Sequence, residues 1–372
     1  MTDVQKMNST PRALALGPGG NCRQDSGFKM PRHAISIFIM LSVAAIAFAE
    51  CRSESLHEQV DPALLSDLMY QVFTDHYDSA YVLCDRVIVA YPQHPSGYFF
   101  KAYTMMAQMT EEFDDLYEEE YFSLLDSVES RTNNIIDTCQ NDCKAWCCWY
   151  LGNIWAYRSL WKARFGSVIS AFKLATRARE SYETGLMYDS SLHDLYAGLG
   201  SVHYWKSAKG GVLRTFGFLA DDREKGIAEL KVAAASSVLS RETARKTLIT
   251  VLSDFKQYDS AIAYAEEMLA SYPNGKSFLW GISWAYYHKE NYQRAYGYFL
   301  KLRSRLSEKP GNYHKLIECD AQIARCLEKL GQKEQAAEWC TLNVSYLGAV
   351  SESVRKRQEE NIGYLIRMQH HY

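Results

Sequence analysis

Two widely separated stretches of this chain read almost alike. Tyr77 to Pro92 is YDSAYVLCDRVIVAYP, and Tyr258 to Pro273 is YDSAIAYAEEMLASYP. They share their length, their first and last residues, and a small residue, Ala80 or Ala261, in the fourth position. A third copy opens with Asn291-Tyr292-Gln293-Arg294-Ala295 and runs on to Phe299 and Leu302, and a looser fourth occupies Gly331 to Cys340 (GQKEQAAEWC). Each copy follows an apolar stretch of about one dozen residues whose apolar positions recur at spacings of three and four, the pattern of a helix with one buried face. A unit repeated in this way cannot bury its apolar face alone and must stack against its neighbours.

The repeated unit reads as a helical hairpin. Ala80, Ala261, Ala295 and Ala336 sit where two helices cross closely, since only a small side chain lets the axes approach. Pro92 and Pro273 fall just past the second helix, where a missing amide proton and a restricted preceding residue stop further winding. Helix pairs are expected over 62–91, 96–139, 144–187, 192–237, 241–272, 276–308 and 314–344. A closing helix is expected over 351–368, its charged run Ser353 to Glu360 giving the last unit a wet outer face. These spacings, together with Leu151-Gly152 before Trp155, and Leu199-Gly200 after Tyr196, resemble the tetratricopeptide repeat over most of residues 60–345. The resemblance implies an all-α, right-handed superhelical solenoid of about seven hairpins with a C-terminal cap.

The N-terminal region reads differently. Ala34 to Ala49 is an uncharged apolar run preceded by Lys29, Arg32 and His33 and ending in Ala47-Phe48-Ala49. It is shorter than the about 20 residues that span a bilayer, and its small-x-small end suits cleavage after Ala49, so residues 1–49 are expected to be an extension plus a cleavable signal peptide. Translation starting at Met30 is a second option. Residues 50–350 then form the solenoid and 351–372 the cap and tail of an exported protein of the periplasm, cell envelope or secreted fraction. Glu50 ahead of Cys51 argues against a lipoprotein anchor. The chain carries 41 Lys+Arg against 44 Asp+Glu, so it has no basic field to gather nucleic acid.

In a hairpin solenoid, ligands meet the concave wall formed by the first helices. Counting from the repeat positions, that wall holds Trp146, Trp149, Asn153, Tyr157, Tyr204, Trp205, Trp280, Trp284, Tyr287 and His288, with Arg325 at a polar end beside Glu328 and Lys329. The alternative is that these tryptophans fill gaps between irregular repeats. Large flat side chains offer contact area at low rotamer cost and suit a protein or peptide segment, or an apolar ligand. The insert Lys209 to Leu219, followed by ADDREKGIAEL, resembles a segment of eukaryotic tetratricopeptide proteins linked to inclusion-body clearance and lipid droplets. It offers a peripheral membrane contact or packs on a neighbouring repeat.

Cysteine supplies the remaining chemistry. An oxidising compartment favours disulfides among Cys139, Cys143, Cys147 and Cys148, and between Cys319 and Cys340, with Cys326 as an alternative partner. A metal or thiol site on Cys139 to Cys148 is the sharper reading, against spacings that differ from the usual zinc motifs. The sequence has no nucleophile elbow, His-Glu-x-x-His or dinucleotide fingerprint, and no cofactor is implied. The expectation is a non-catalytic binding scaffold; the alternatives are an apolar-ligand carrier, a membrane-surface adaptor, or a thiol or metal enzyme.

Overall fold

A computed structural model describes residues 56–112, 117–210, 220–308, 311 and 313–370. The chain separates into Met1–Ser53 and Glu54–Tyr372, and the second unit is described here. The signal segment, Cys51 and residues 211–219 of the insert lie outside the described residues. Among the described residues there are sixteen α-helices and no strand, and no helix is long and apolar enough to cross a membrane.

Fourteen helices pair into seven antiparallel hairpins of a solenoid. These are α1 (Pro62–Phe73) with α2 (Tyr77–Ala90), α3 (Ser96–Glu112) with α4 (Glu118–Ile136), and α5 (Asn141–Phe165) with α6 (Val168–Tyr188). Then come α7 (Leu195–Lys209) with α8 (Arg223–Ser236), α9 (Arg241–Asp254) with α10 (Tyr258–Ser271), α11 (Lys276–His288) with α12 (Tyr292–Ser307), and α13 (Tyr313–Lys329) with α14 (Lys333–Asn343). The fold is that of tetratricopeptide-repeat proteins.

The fourth residue of each second helix explains the spacing. Ala80, Ala261, Ala295 and Ala336 are each 0% exposed there, and α6 and α8 place Ala171 and Gly226 at the same point. At Gly226 the approach is backbone to backbone: a Cβ would lie 2.5 Å from the carbonyl oxygen of Gly200, and one on Gly200 would lie 2.6 Å from that of Gly226. In α4 the position holds Tyr121, whose ring stacks on Trp161 at 5.6 Å.

The turns repeat as faithfully. Asp75, Lys256, Glu290 and Gly331 all have positive φ. The next residue in each case donates its N–H five residues back, as His76 to Gln71 and Asn291 to Tyr286 do. This left-handed residue satisfies carbonyls that the first helix leaves open, and it reverses the chain. Between hairpins four and five the buried carboxylate of Asp194 accepts the N–H groups of Val238, Leu239 and Ser240 at 2.7–2.8 Å, capping α9 from a distant element.

The solenoid curves until its first hairpin meets the start of the sixth. Phe73 of the first hairpin packs at 5.0 Å on Tyr272 and 5.9 Å on Phe278, inside the core of the C-terminal hairpins. Gly275 presses on the carbonyl of Phe73, where a Cβ would come within 2.6 Å. The backbone N–H of Lys276 donates to Asp75 at 2.7 Å, and its ammonium pairs with Glu111 of α3. Tyr77 donates to Glu111 at 2.9 Å. Further round, Arg164 at the end of α5 reaches the carbonyl of Thr110 at 3.4 Å.

The closing helix is broken where one was expected: α15 (Glu352–Arg357) and α16 (Glu359–His370) meet at Gln358. Gln358 turns inward and sets its amide 3.1 Å from the ring of His314, which a straight helix would not allow.

Two outcomes follow from the closure. Gly275→Ala drives a methyl into backbone and is expected to cost about 1–3 kcal/mol and to raise the radius of gyration in solution scattering; an unchanged melting midpoint and radius would show that the seam is loose. Burial and the cations Lys315, Arg357 and Arg164 lower the His314 pKa from 6.5 to about 4. The unfolded chain therefore binds a proton first as pH falls below 6.5, and stability is lost between 6.5 and 4. Unfolding free energies from urea titrations at pH 7 and 5 should differ by about 1–2 kcal/mol more in the parent than in His314→Asn.

Candidate binding lumen

Because the stack curves round on itself, the concave wall lines a central lumen that is about half open to solvent. Two connected chambers of about 360 and 480 Å³ share Tyr103, Tyr157, Leu160, Trp205, Thr243 and Thr247. The first helix of every hairpin contributes, from Met69 of α1 to Lys315 of α13. Helical spacing aligns the contributions: Phe99 and Tyr103 lie one turn apart on α3, and Trp149, Asn153 and Tyr157 follow one another on α5. Phe99 packs on Trp149 at 4.9 Å and lies nearly parallel to Tyr157 at 5.7 Å, and Tyr157 in turn faces Tyr103 at 6.3 Å. The result is a rigid aromatic wall.

Two hydroxyl groups on this wall are unsatisfied. Tyr103 and Tyr182 each bury a phenolic oxygen with no hydrogen-bond partner. Tyr182 is locked in place between α5 and α7, since a Cβ on Gly152 would meet its ring at 2.3 Å and one on Gly198 at 2.0 Å. Burial pushes its pKa well up, so the group remains a neutral donor. Asn153 donates its amide to the Trp149 carbonyl at 2.8 Å, which leaves its amide oxygen to accept. At the other end the rim turns polar, with Lys246, Lys276, Lys315, Asp75 and Glu111. Lys315 lies 5.1 Å over the Trp280 ring and pairs with Glu318 at 3.0 Å.

The structure separates the residues proposed for the groove. Trp149, Asn153, Tyr157, Trp205 and Trp280 line the lumen. Trp146 does not: it is 3% exposed and stacks on His57 at 4.5 Å. Tyr204 is fully buried and donates to Asp254 at 2.5 Å, joining hairpins four and five. Trp284, Tyr287 and His288 continue along α11 beyond the lining; Trp284 stacks on His288 at 5.1 Å and packs on Phe299 at 6.1 Å. Arg325 is half-buried with its guanidinium 4.6 Å from the Tyr364 ring of α16, while Glu328 and Lys329 beside it are exposed. Phe99, Tyr103, Tyr182 and Lys246 were not singled out from sequence. Tyr182 comes from a second helix, and the glycines that let it reach the lumen were the only signal.

The described cysteines are free thiols. The expected Cys319–Cys340 bridge is not formed; Cys319 instead donates its S–H to the Phe299 carbonyl at 3.4 Å, and burial raises Cys340 to about 12. Cys148 faces α6, its Cβ 3.0 Å from where a Gly185 Cβ would stand. Cys139, Cys143 and Cys147 bring their sulfurs within 4.8 Å of one another, also without a disulfide.

No protein-family model matches the sequence, and no curated protein does. Solved structures match in fold. The Cut9–Hcn1 tetramer of the APC/C shares 12% identity over 82% of this chain at a TM-score of 0.48, and the chain spans about half (51%) of that protein's length. The type IV pilus biogenesis factor PilW shares 16% over 66% of this chain and 94% of its own, at 0.44. The C-terminal part of a tetratricopeptide-repeat protein from Cytophaga hutchinsonii shares 13% over 78% of this chain and 98% of its own, at 0.40. At such identities the likeness concerns the fold alone.

An unpaired buried hydroxyl costs folding free energy. Tyr182→Phe is expected to stabilise the protein by about 1 kcal/mol. A thermal-melt series of the variant checks this, and a lower midpoint than the parent would mean that the hydroxyl already has a partner.

Proposed function

We propose that this chain is a non-catalytic binding protein of the periplasm or cell envelope that holds an extended segment of a partner protein in its lumen. The aromatic lining of Phe99, Trp149, Tyr157, Trp205 and Trp280, with Asn153 among it and lysines at the rim, carries this reading. A peptide supplies an N–H for the Asn153 oxygen and side chains for the aromatic surfaces. The export assignment is supported by the apolar run Ala34 to Ala49 with its basic flank.

A second reading, an amphipathic small molecule, is favoured by the partial enclosure of the lumen and by the lysines at its rim. One design separates the two. Peptides selected from a displayed library against the purified protein should bind with an affinity that falls about 30-fold (about 2 kcal/mol) in Trp205→Ala or Trp280→Ala, read by fluorescence titration with circular dichroism as the folding control. Failure to select any peptide, together with a stoichiometric lipid in an organic extract of the protein, would replace the first reading with the second. Unchanged affinity in both variants would remove the lumen as the site.

A further inference from the structure

Outside the lumen, three cysteines converge at the edge of the N-terminal core. Cys139 lies past the end of α4, its N–H held by the Ile135 carbonyl at 3.2 Å. Cys143 lies in the first turn of α5 and Cys147 one turn later. Cys139 and Cys143 are half-buried and Cys147 is fully buried, so the trio forms a pocket of sulfur that is open on one side. All three sulfurs fall within 4.8 Å of one another. Thiolates sharing one metal at about 2.3 Å from each sulfur stand about 4 Å apart, close to the spacing already present.

Two features of the backbone favour an ion over a disulfide. Residues four apart on a helix keep their Cβ atoms about 5–6 Å apart, whereas a disulfide draws them to about 3.5–4.5 Å. Cys143 and Cys147 thus converge at sulfur without being able to bridge unless the helix distorts. The open N–H groups at the start of α5 also favour negative charge on Cys143. Lys144 adds positive charge beside Cys139.

We propose that Cys139, Cys143 and Cys147 form a three-coordinate site for one thiophilic monovalent d10 cation of the copper(I) type. Among the described residues the group has three donors. Three soft donors suit copper(I), while a structural zinc site takes four protein ligands. Binding replaces S–H bonds by metal–sulfur bonds, the protons pass to solvent, and no electron is transferred. The site is independent of the lumen reading, since none of its residues lines either chamber.

Anaerobic competition of the reduced full-length chain against a chromophoric copper(I) chelator tests it, with copper(I) itself as the probe. The expected result is one equivalent bound with a near-ultraviolet sulfur-to-copper band. Both should be lost in Cys143→Ser, whose half-exposed side chain is a mild replacement, and retained in Cys148→Ser, which faces α6. Circular dichroism identifies a variant that has unfolded, and the double variant Cys139→Ser/Cys143→Ser then replaces Cys143→Ser. Retention of the band in a folded variant lacking Cys143 would overturn the proposal. So would tighter binding of zinc than of copper(I), or a Cys139–Cys143 disulfide in protein recovered from its native compartment, which consumes two of the three donors.

Discussion

Where Gly275 lies against the carbonyl of Phe73, a curved stack of helix hairpins becomes a ring. The seam combines the two interaction types that suit such a contact. Aromatic rings from Tyr70, Phe73, Tyr272 and Phe278 remove apolar surface from water, and Lys276 is held by Asp75 and Glu111. Burial raises the Asp75 pKa, and the Lys276 ammonium works against that rise. A buried charge without a partner would be far more costly than this paired one. Asp75 meets Lys276 only because it occupies the left-handed turn position, so one strained residue both ends α1 and joins the ring.

Closure changes what the concave wall can do. In an open solenoid the same aromatic residues would face bulk water and bind along a groove. In the curved stack they line a half-open space partly sheltered from water, where a hydrogen bond is electrostatically stronger than at the open surface. Tyr103 and Tyr182 hold unmet donors, on rings fixed by Tyr157 on one side and by Gly152 and Gly198 on the other.

Legibility differed between the two levels of structure. Hairpin boundaries follow from the alanine spacing, the prolines after Tyr91 and Tyr272, and the apolar period, because these report local geometry. The break at Gln358 was not visible, because it depends on His314, 44 positions away in the chain. Among wall residues, counting along α5 leads to Trp149, Asn153 and Tyr157, but also to Trp146, whose ring is taken up by His57. Counting along α7 leads to Trp205 and equally to Tyr204, which is used to join two hairpins. One residue on a helix is about 100° of rotation, enough to turn a lining residue into a packing residue.

The amino-acid sequence by itself determined a chain of helical hairpins, because periodicity, small residues at crossings and helix stops act within a few turns of backbone. Tertiary structure alone decided that the stack closes, that the wall lines a lumen, that Arg325 lies against the Tyr364 ring and that three of the clustered cysteines converge while the fourth turns away. Each of these depends on curvature summed over several hairpins or on the rotation of one helix against another. Small angles accumulate along a solenoid, and no local pattern records their sum.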